Sequence, residues 1–143
     1  MNLKKFLPLL ASLVFAMCLM ASAVSFTDVE GHWAYEQIME YAEKGIVNGD
    51  PEGTFRPDDT VTREEFCKIM LNAFGVMATA SETESFTDVP ADAWSYAFVE
   101  SAKKYLPGYE DGTFLPGNVA TRADVTAAIV KIMGYPVGIV ADS

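Results

Sequence analysis

The sequence predicts an all-α protein made of two similar helix-loop-helix repeats packed side by side, behind a cleaved signal peptide. The first observation is that the stretch EGTFRPDDTVTREEF, 52–66, returns 59 residues later as DGTFLPGNVATRADV, 111–125. The second is that each copy of this stretch leads into an apolar stripe of helical spacing. Self-similarity at a period of about sixty residues is typical of repeat architectures.

Residues 1–23 have the composition of a secretory signal peptide. Two lysines precede an apolar run over 6–20, and Ala21-Ser22-Ala23 supplies the small residues of a cleavage site. A membrane anchor needs roughly twenty apolar residues, which favours export and cleavage over a retained span. A lipoprotein cysteine at Cys18 is the alternative, but Met17 stands where a lipobox has a small residue.

The predicted exported chain, 24–143, is strongly acidic. Removing Lys4 and Lys5 from the 10 basic residues leaves 8 against 20 acidic ones, a net charge near −12. Such a surface repels nucleic acid and anionic membranes, so an anionic ligand requires a local positive site. With Cys67 as the single cysteine of that chain, an internal disulfide is excluded. We expect Cys67 to be a half-buried helix residue.

The chain divides into two copies with a short connection. The first repeat covers 26–75 and the second 86–134, with a small, polar and acidic linker at 76–85 and a tail at 135–143. The offset between copies drifts from 60 or 61 to 59, which indicates small insertions in turns. Further matching residues are Phe26, Asp28, Trp33, Glu40 and Gly49 in the first copy and Phe86, Asp88, Trp94, Glu100 and Gly108 in the second.

The second helix of each copy has the clearest pattern. Thr62 and Thr121 stand where an N-cap residue belongs, and Glu65 and Asp124 follow three residues later as capping-box partners. A glycine follows the last apolar residue, where a left-handed C-terminal cap favours it. The predicted apolar stripes are Phe66, Ile69, Met70, Ala73 and Phe74, and Val125, Ala128, Ile129, Ile132 and Met133.

A shorter first helix is predicted at 33–44 and again at 94–104. Glycine, proline and acidic residues between the two helices of each copy are turn formers. Phe55 and Phe114 follow these turns, and we expect them to pin the loop to the core. Each copy is therefore predicted as helix, structured loop and helix.

These motifs together resemble the S-layer homology (SLH) family. The resemblance rests on the Phe-x-Asp-Val opening, the tryptophan at a helix start, the Gly-x-x-x-Gly-Thr-Phe-x-Pro loop and the Thr-Arg helix start, over 26–75 and 86–134. It implies non-covalent attachment at the bacterial cell wall or cell surface through a secondary cell-wall polysaccharide, often pyruvylated. It also implies a prism of three repeats with ligand grooves between neighbours.

Arg63 and Arg122 are the first candidate ligand residues. Each follows an N-cap threonine, so its guanidinium stands at a helix N-terminus, where free amides and the helix dipole favour an anion. A guanidinium can also hold a carboxylate through two hydrogen bonds. The alternative is that each arginine pairs with a nearby carboxylate such as Asp59, Glu64 or Asp124.

Two tryptophans and two glycines complete the candidate site. Trp33 and Trp94 offer flat apolar faces for a sugar ring, and Gly49 and Gly108 would let a saccharide approach the backbone. The tryptophans are equally well explained as core residues that close the helix pair.

Asp28 and Asp88 are expected to cap the first helix or to accept hydrogen bonds from loop amides. The lone histidine, His32, is expected at a helix start rather than as a metal ligand or catalytic base.

The chain has two copies where the resembled family commonly has three. Short repeat arrays bury their faces poorly, so an apolar flank should stay open unless another chain covers it. The alternative function is therefore a protein-interaction module that completes a three-repeat unit with another SLH-bearing chain or by self-association.

Two other function classes are disfavoured. The loop from Asn48 to Gly53 partly matches a calcium-binding EF-hand loop, but Asp59 replaces its final glutamate. The second copy has Pro107 and Tyr109 at ligand positions, so no metal or other cofactor is predicted. Adjacent helical carboxylates point about 100° apart and form no facing pair. No catalytic residue is assigned, and the chain is not expected to be an enzyme.

Overall fold

Four helices make up the regular structure of the part of the chain that the structure describes. The structure, a computed structural model, describes residues 24–135. The predicted signal peptide, 1–23, and residues 136–143 of the predicted tail lie outside this range. The helices are α1 (Tyr35–Glu43), α2 (Arg63–Ala73), α3 (Tyr96–Ala102) and α4 (Arg122–Ile132). Over 24–135 there is no strand, and a single antiparallel bridge joins Thr62 and Val119. The all-α prediction is confirmed for the described residues.

The predicted capping boxes are present at the starts of α2 and α4. The Glu65 amide donates to Thr62 Oγ1 over 3.3 Å, and the Thr62 amide donates to Glu65 Oε2 over 2.8 Å. At α4 the corresponding distances between Thr121 and Asp124 are 3.1 and 3.0 Å. These reciprocal bonds satisfy amides that the first turn leaves without a helical partner, so both helix starts are correct to the residue.

The first helix of each repeat is shorter than predicted. The expected spans were 33–44 and 94–104, but α1 and α3 begin two residues later and end one and two residues earlier. Trp33 and Trp94 lie in turns before the helices, where Tyr35 N bonds His32 O at 3.0 Å. Neither N-cap residue makes a side-chain capping bond, so no local signal extends these helices toward the tryptophans.

The loop between the helices is tied back to the opening of its repeat by one aspartate. Asp28 accepts from the Phe55 and Arg56 amides at 2.8 and 2.7 Å, and Asp88 accepts from the equivalent pair at 2.8 Å each. Arg56 has a φ of 55°, which turns two successive amides toward one carboxylate. The Phe55 amide bond, as the largest cause, lowers the pKa of Asp28. The predicted role of both aspartates in bonding loop amides is confirmed.

The main core is formed by the second repeat together with one helix of the first. Helix α2 of the first repeat packs against α3 of the second. The buried residues of this cluster are Phe66, Cys67, Met70 and Leu71 from α2, and Val89, Tyr96, Val99, Ala102, Leu106, Phe114 and Ala128 from the second repeat. This one cluster therefore spans the joint between the repeats, with four residues from the first repeat and seven from the second.

The buried face of α2 is rotated from the predicted stripe. Phe66 and Met70 are buried as expected, but Ala73 and Phe74 are exposed. Cys67 and Leu71 are buried instead, because α3 of the second repeat covers that side of the helix. The half-buried environment expected for Cys67 was wrong, since its side chain is 0% exposed and burial raises its thiol pKa to about 12. A thiol in that state is unreactive.

Helix α4 carries an apolar stripe like that of α2, but fewer of its residues are buried. Ala128 is its one buried residue within the described chain, and Val125, Ile129 and Ile132 are half-buried. Met133 is 52% exposed. Val125, Ile129 and Ile132 pack against the core cluster, so Met133 is the exposed part of this stripe. The open apolar flank expected of a two-repeat chain stays a prediction.

The predicted linker, 76–85, lies along α3. The Thr79 amide donates to Ser101 Oγ at 2.9 Å, and the Ser85 amide donates to Glu100 Oε1 at 2.8 Å. The Tyr96 hydroxyl donates to the Ser81 carbonyl at 3.2 Å. The connection between the repeats is thus hydrogen-bonded to the second repeat along its length.

Candidate binding groove

Arg63 reaches from the first repeat into the second. Its Nε donates to Phe114 O and its Nη2 to Pro107 O, each at 2.9 Å, while Nη1 lies 3.1 Å from Asp124 Oδ1. The guanidinium carbon sits 4.7 Å from the Phe114 ring centroid and 5.1 Å from that of Tyr109. Arg63 is only 2% exposed, with a partner for every nitrogen of its guanidinium. The predicted ligand contact of Arg63 has no support in this arrangement.

The amides at the start of α2 are also occupied by the second repeat. Arg63 N donates to Asn118 O at 2.8 Å, and Glu64 N donates to Pro116 O at 3.1 Å. These first-turn amides are the groups that were predicted from the sequence to bind an anion. The start of α2 is therefore part of the joint between the repeats.

Arg122 is the residue of the second repeat that is equivalent to Arg63, but it does not share the burial or the contacts of Arg63. Its side chain is exposed, and within residues 24–135 it makes neither a salt bridge nor a hydrogen bond. The two arginines look the same in the sequence, but only Arg63 has a neighbouring repeat to receive it.

Internal packing accounts for Gly49 and Gly108. A Cβ at Gly49 would lie 2.3 Å from Thr54 O and 2.4 Å from the Phe26 ring, and one at Gly108 would lie 2.3 Å from the Phe86 ring. These distances are far below van der Waals contact, so the loop requires glycine with or without a ligand. Their predicted role in saccharide approach stays a prediction.

Both tryptophans are exposed, so the alternative that they are core residues was wrong. Trp33 is 87% exposed and Trp94 is 55% exposed. The ring centroids of Trp94 and Phe98 lie 6.3 Å apart with the rings tilted by 53°, and Lys68 Nζ lies 5.8 Å from each centroid. Lys68 was not a predicted site residue, because its position next to Trp94 depends on how the repeats pack.

Gly49 and Trp94 line one groove between the repeats, which has a volume of about 590 Å³. We call it the inter-repeat groove. Trp33, Gly108 and both predicted arginines lie outside its lining. The lining residues are 46–51, 55–57, 59–62, Glu64, Glu65, Lys68, Ile69 and Trp94.

The side of this groove formed by the loop of the first repeat is acidic, and Arg56 forms ion pairs with three of the carboxylates there. Arg56 Nε lies 2.7 Å from Asp50, and its other nitrogens lie 3.4 Å from Asp59 and 3.6 Å from Glu65. Its hydrogen bond lowers the pKa of Asp50. Sequence reasoning missed Arg56, although the replacement of this residue by Leu115 in the other copy signals a difference between the two loops.

Two carboxyls near the joint have lowered pKa values despite burial. Burial raises the pKa of Glu100, but Lys103 and the Ser85 amide and hydroxyl outweigh it and bring the pKa below its ordinary 4.5. At Asp124 burial likewise raises the pKa, but bonds from Thr121 and the charge of Arg63 bring it below 3.8. In both cases the folded chain favours the ionised form.

The free energy of unfolding is expected to be constant near neutral pH and to fall below about pH 4.5. A carboxyl with a lower pKa in the folded chain stabilises it above the unfolded value, and this stabilisation is lost as the pH falls through the folded value. The unfolded values are about 4.5 for Glu100 and 3.8 for Asp124. Urea denaturation at a series of pH values measures the decline, which Asp124→Asn should make shallower. Stability that rises on acidification would contradict the assignment.

A metal site is not assembled in the described part of the chain. No group of three or more His, Cys, Asp or Glu side chains over 24–135 is arranged to hold an ion. In the loop considered for calcium, the Asp50 carboxylate is bonded to Arg56 and Thr54. The described helices also include none long and apolar enough to cross a bilayer.

Comparison with known proteins identifies the repeat. The family model of the S-layer homology domain matches residues 25–67 and 85–126, so the chain belongs to the S-layer homology family as two repeats. This membership confirms the cell-surface location expected from the sequence.

Curated relatives include two proteins of Acetivibrio thermocellus. Cell surface glycoprotein 1 is 31% identical over 124 residues, covering 78% of this chain and 5% of that protein. The cellulosome-anchoring protein is 32% identical over 117 residues, covering 76% of this chain and 26% of that protein. The surface layer protein of Brevibacillus choshinensis is 33% identical over 96 residues, 64% of this chain and 9% of its own length. The chain thus spans a minor part of these relatives.

Proposed function

We propose that this chain is a non-covalent anchoring module that binds a secondary cell-wall polysaccharide, an anionic polymer of the pyruvylated type. Its family and relatives with surface-layer and anchoring names support attachment at the cell surface. The module acts by binding and carries out no catalysis.

The observation that carries the proposal is the Trp94–Lys68 side of the inter-repeat groove. Trp94 supplies a half-exposed apolar face suited to a sugar ring, and Lys68 supplies a cation beside it. Among the described residues Lys68 makes no salt bridge, whereas Arg56 is shared by three carboxylates. In a chain of net charge −10, this free ammonium is the local positive site that an anionic polymer requires.

Arg63 does not line the groove, but it stabilises the packing of the two repeats that form it. The groove combines the loop and second helix of the first repeat with Trp94 of the second, so its shape depends on how the repeats are joined. Arg63 holds that joint through Pro107, Phe114 and Asp124. We therefore assign Arg63 a positioning role.

Co-sedimentation with purified Gram-positive cell walls tests the proposal. The purified protein should pellet with intact walls and remain soluble with walls stripped of secondary polysaccharide by hydrofluoric acid. Trp94→Ala and Lys68→Glu should each weaken binding by about tenfold or more, since each removes a packed face or a charged contact. Trp33→Ala and Lys131→Glu are matched controls outside the groove and should bind like the unaltered chain. Equal pelleting with stripped walls, or full binding by both groove variants, would refute it.

A further inference from the structure

Each half of the contact that joins the two repeats has a second copy, and over residues 24–135 neither copy is joined to another repeat. Arg63 and Arg122 are equivalent residues at the starts of α2 and α4, but only Arg63 is received by a following repeat. The receiving surface belongs to the second repeat, and the first repeat has its own version of that surface. Within residues 24–135 no arginine from another repeat occupies it.

The groups that accept from the Arg63 side chain, and the Tyr109 ring beside it, all have equivalents that line the inter-repeat groove. Arg63 is bonded to the carbonyls of Phe114 and Pro107 and to the Asp124 carboxylate, beside the ring of Tyr109. The equivalents in the first repeat are Phe55, Asn48, Glu65 and Asp50, and all four line the groove. Carboxylates thus stand at the positions of both Asp124 and Tyr109. Arg56 of the same repeat lies between them, 2.7 Å from Asp50 and 3.6 Å from Glu65, so an entering guanidinium would share these carboxylates with it.

The backbone bonds of the joint also have unused equivalents. Arg63 N and Glu64 N donate to Asn118 O and Pro116 O. The corresponding donors are the amides of Arg122 and Ala123, which have no acceptor among the described residues, and the corresponding acceptors are the carbonyls of Asp59 and Pro57. Asp59 and Pro57 line the groove as well.

The charge of the groove favours this pairing. Asp50, Asp59, Glu64 and Glu65 face the two cations Arg56 and Lys68 in the groove, which leaves an excess of two negative charges. The side of α4 equivalent to the part of α2 that α3 covers carries Thr126, which is exposed, and Val130, which is half-buried. Its counterpart would be α1, where Tyr35 is 38% exposed although its equivalent Tyr96 is 4% exposed.

We propose that a second copy of this chain docks head to tail, with Arg122 of one copy in the acidic side of the inter-repeat groove of the next. The new joint repeats the one that Arg63 makes within the chain. It is a heterologous contact, so a pair of chains still presents one free Arg122 and one free groove, and assembly can continue. The acidic side lies at the first turn of α2, and Lys68, proposed for the polysaccharide, lies one turn further along the same helix.

Two variants block opposite ends of the proposed joint. Arg122→Ala removes the inserted side chain but keeps the groove, and Glu64→Lys adds a repelling charge to the groove but keeps Arg122. Lys131→Ala is the control, because it removes one positive charge from the other end of α4. Circular dichroism and thermal melting should show all three folded like the unaltered chain.

Sedimentation velocity over a range of protein concentrations, with no wall polymer present, measures the assembly. The unaltered chain and Lys131→Ala should grow in mass with concentration, while each blocked variant should need about tenfold or more higher concentration. An equimolar mixture of the two blocked variants should form dimers and nothing larger, since one free Arg122 meets one free groove. A single-chain mass for the unaltered protein throughout, association of Arg122→Ala at unchanged concentration, or no dimer in the mixture would overturn the proposal.

The proposal does not rest on polysaccharide binding, and the two can fail separately. Arg122→Ala leaves Trp94 and Lys68 intact, so it should lose self-association but still pellet with intact walls.

Discussion

Replacing Arg63 with alanine is expected to lower the free energy of unfolding by about 3 to 5 kcal/mol, the effect of breaking a buried ion pair. The substitution leaves the Asp124 carboxylate and the carbonyls of Phe114 and Pro107 without their partner. It also removes the side chain packed on the Phe114 ring. Since a domain of this size is stable by only about 5 to 15 kcal/mol, a substantial part of the total would be lost.

Arg122→Ala is the matched control for this prediction. It makes the same chemical change at the equivalent position, but Arg122 is exposed and unpaired within the described chain, so the change should be within about 0.5 kcal/mol. Urea denaturation, at a concentration where the protein is a single chain, gives both values. Equal losses for the two variants would show that Arg63 does not hold the repeats together.

Gly108→Ala is expected to destabilise the chain by about 3 kcal/mol, at the upper end of what overpacking costs. The added methyl would lie 2.3 Å from the Phe86 ring and 2.5 Å from Thr113 O. The ring could move only by leaving Phe114, whose centroid is 5.2 Å away, and the carbonyl belongs to the backbone of the loop. Relief of the clash therefore requires the loop to shift, and that loop also holds Arg63 through Pro107.

Gly117→Ala serves as the control in the same repeat, because a Cβ there meets nothing within 4 Å. Its melting temperature should stay close to that of the unaltered chain, while Gly108→Ala should melt several degrees lower. Gly49→Ala should resemble Gly108→Ala, since its Cβ would meet Thr54 O at 2.3 Å. A small effect at Gly108 would mean that the loop is looser than its contacts indicate.

Both capping boxes and the aspartate-tethered loops could be predicted from the sequence. Thr62 with Glu65, and Thr121 with Asp124, act through bonds that span three residues, so local spacing is sufficient to find them. The family could also be recognised, because its motifs are short, ordered and present twice. Element type and the starts of α2 and α4 were accordingly well predicted, whereas α1 and α3 begin two residues later than expected.

The candidate site was predicted less well. Of the six proposed ligand residues, the groove brings together only Gly49 and Trp94. Lys68 and Arg56 were missed because their importance comes from neighbours distant in the chain or from a difference between the copies. The buried face of α2 was misplaced for the same reason, since α3 covers Cys67 and Leu71.

The sequence by itself determined the two repeats, their all-α class, their capped helices and their family, because these depend on short-range spacing. Only the tertiary structure decided which of two similar motifs is buried and which is open. Arg63 and Arg122 each follow an N-cap threonine, but a second repeat follows Arg63 and supplies its acceptors. Burial and pairing are set by what lies across the joint, and that information is absent from the residues around each arginine.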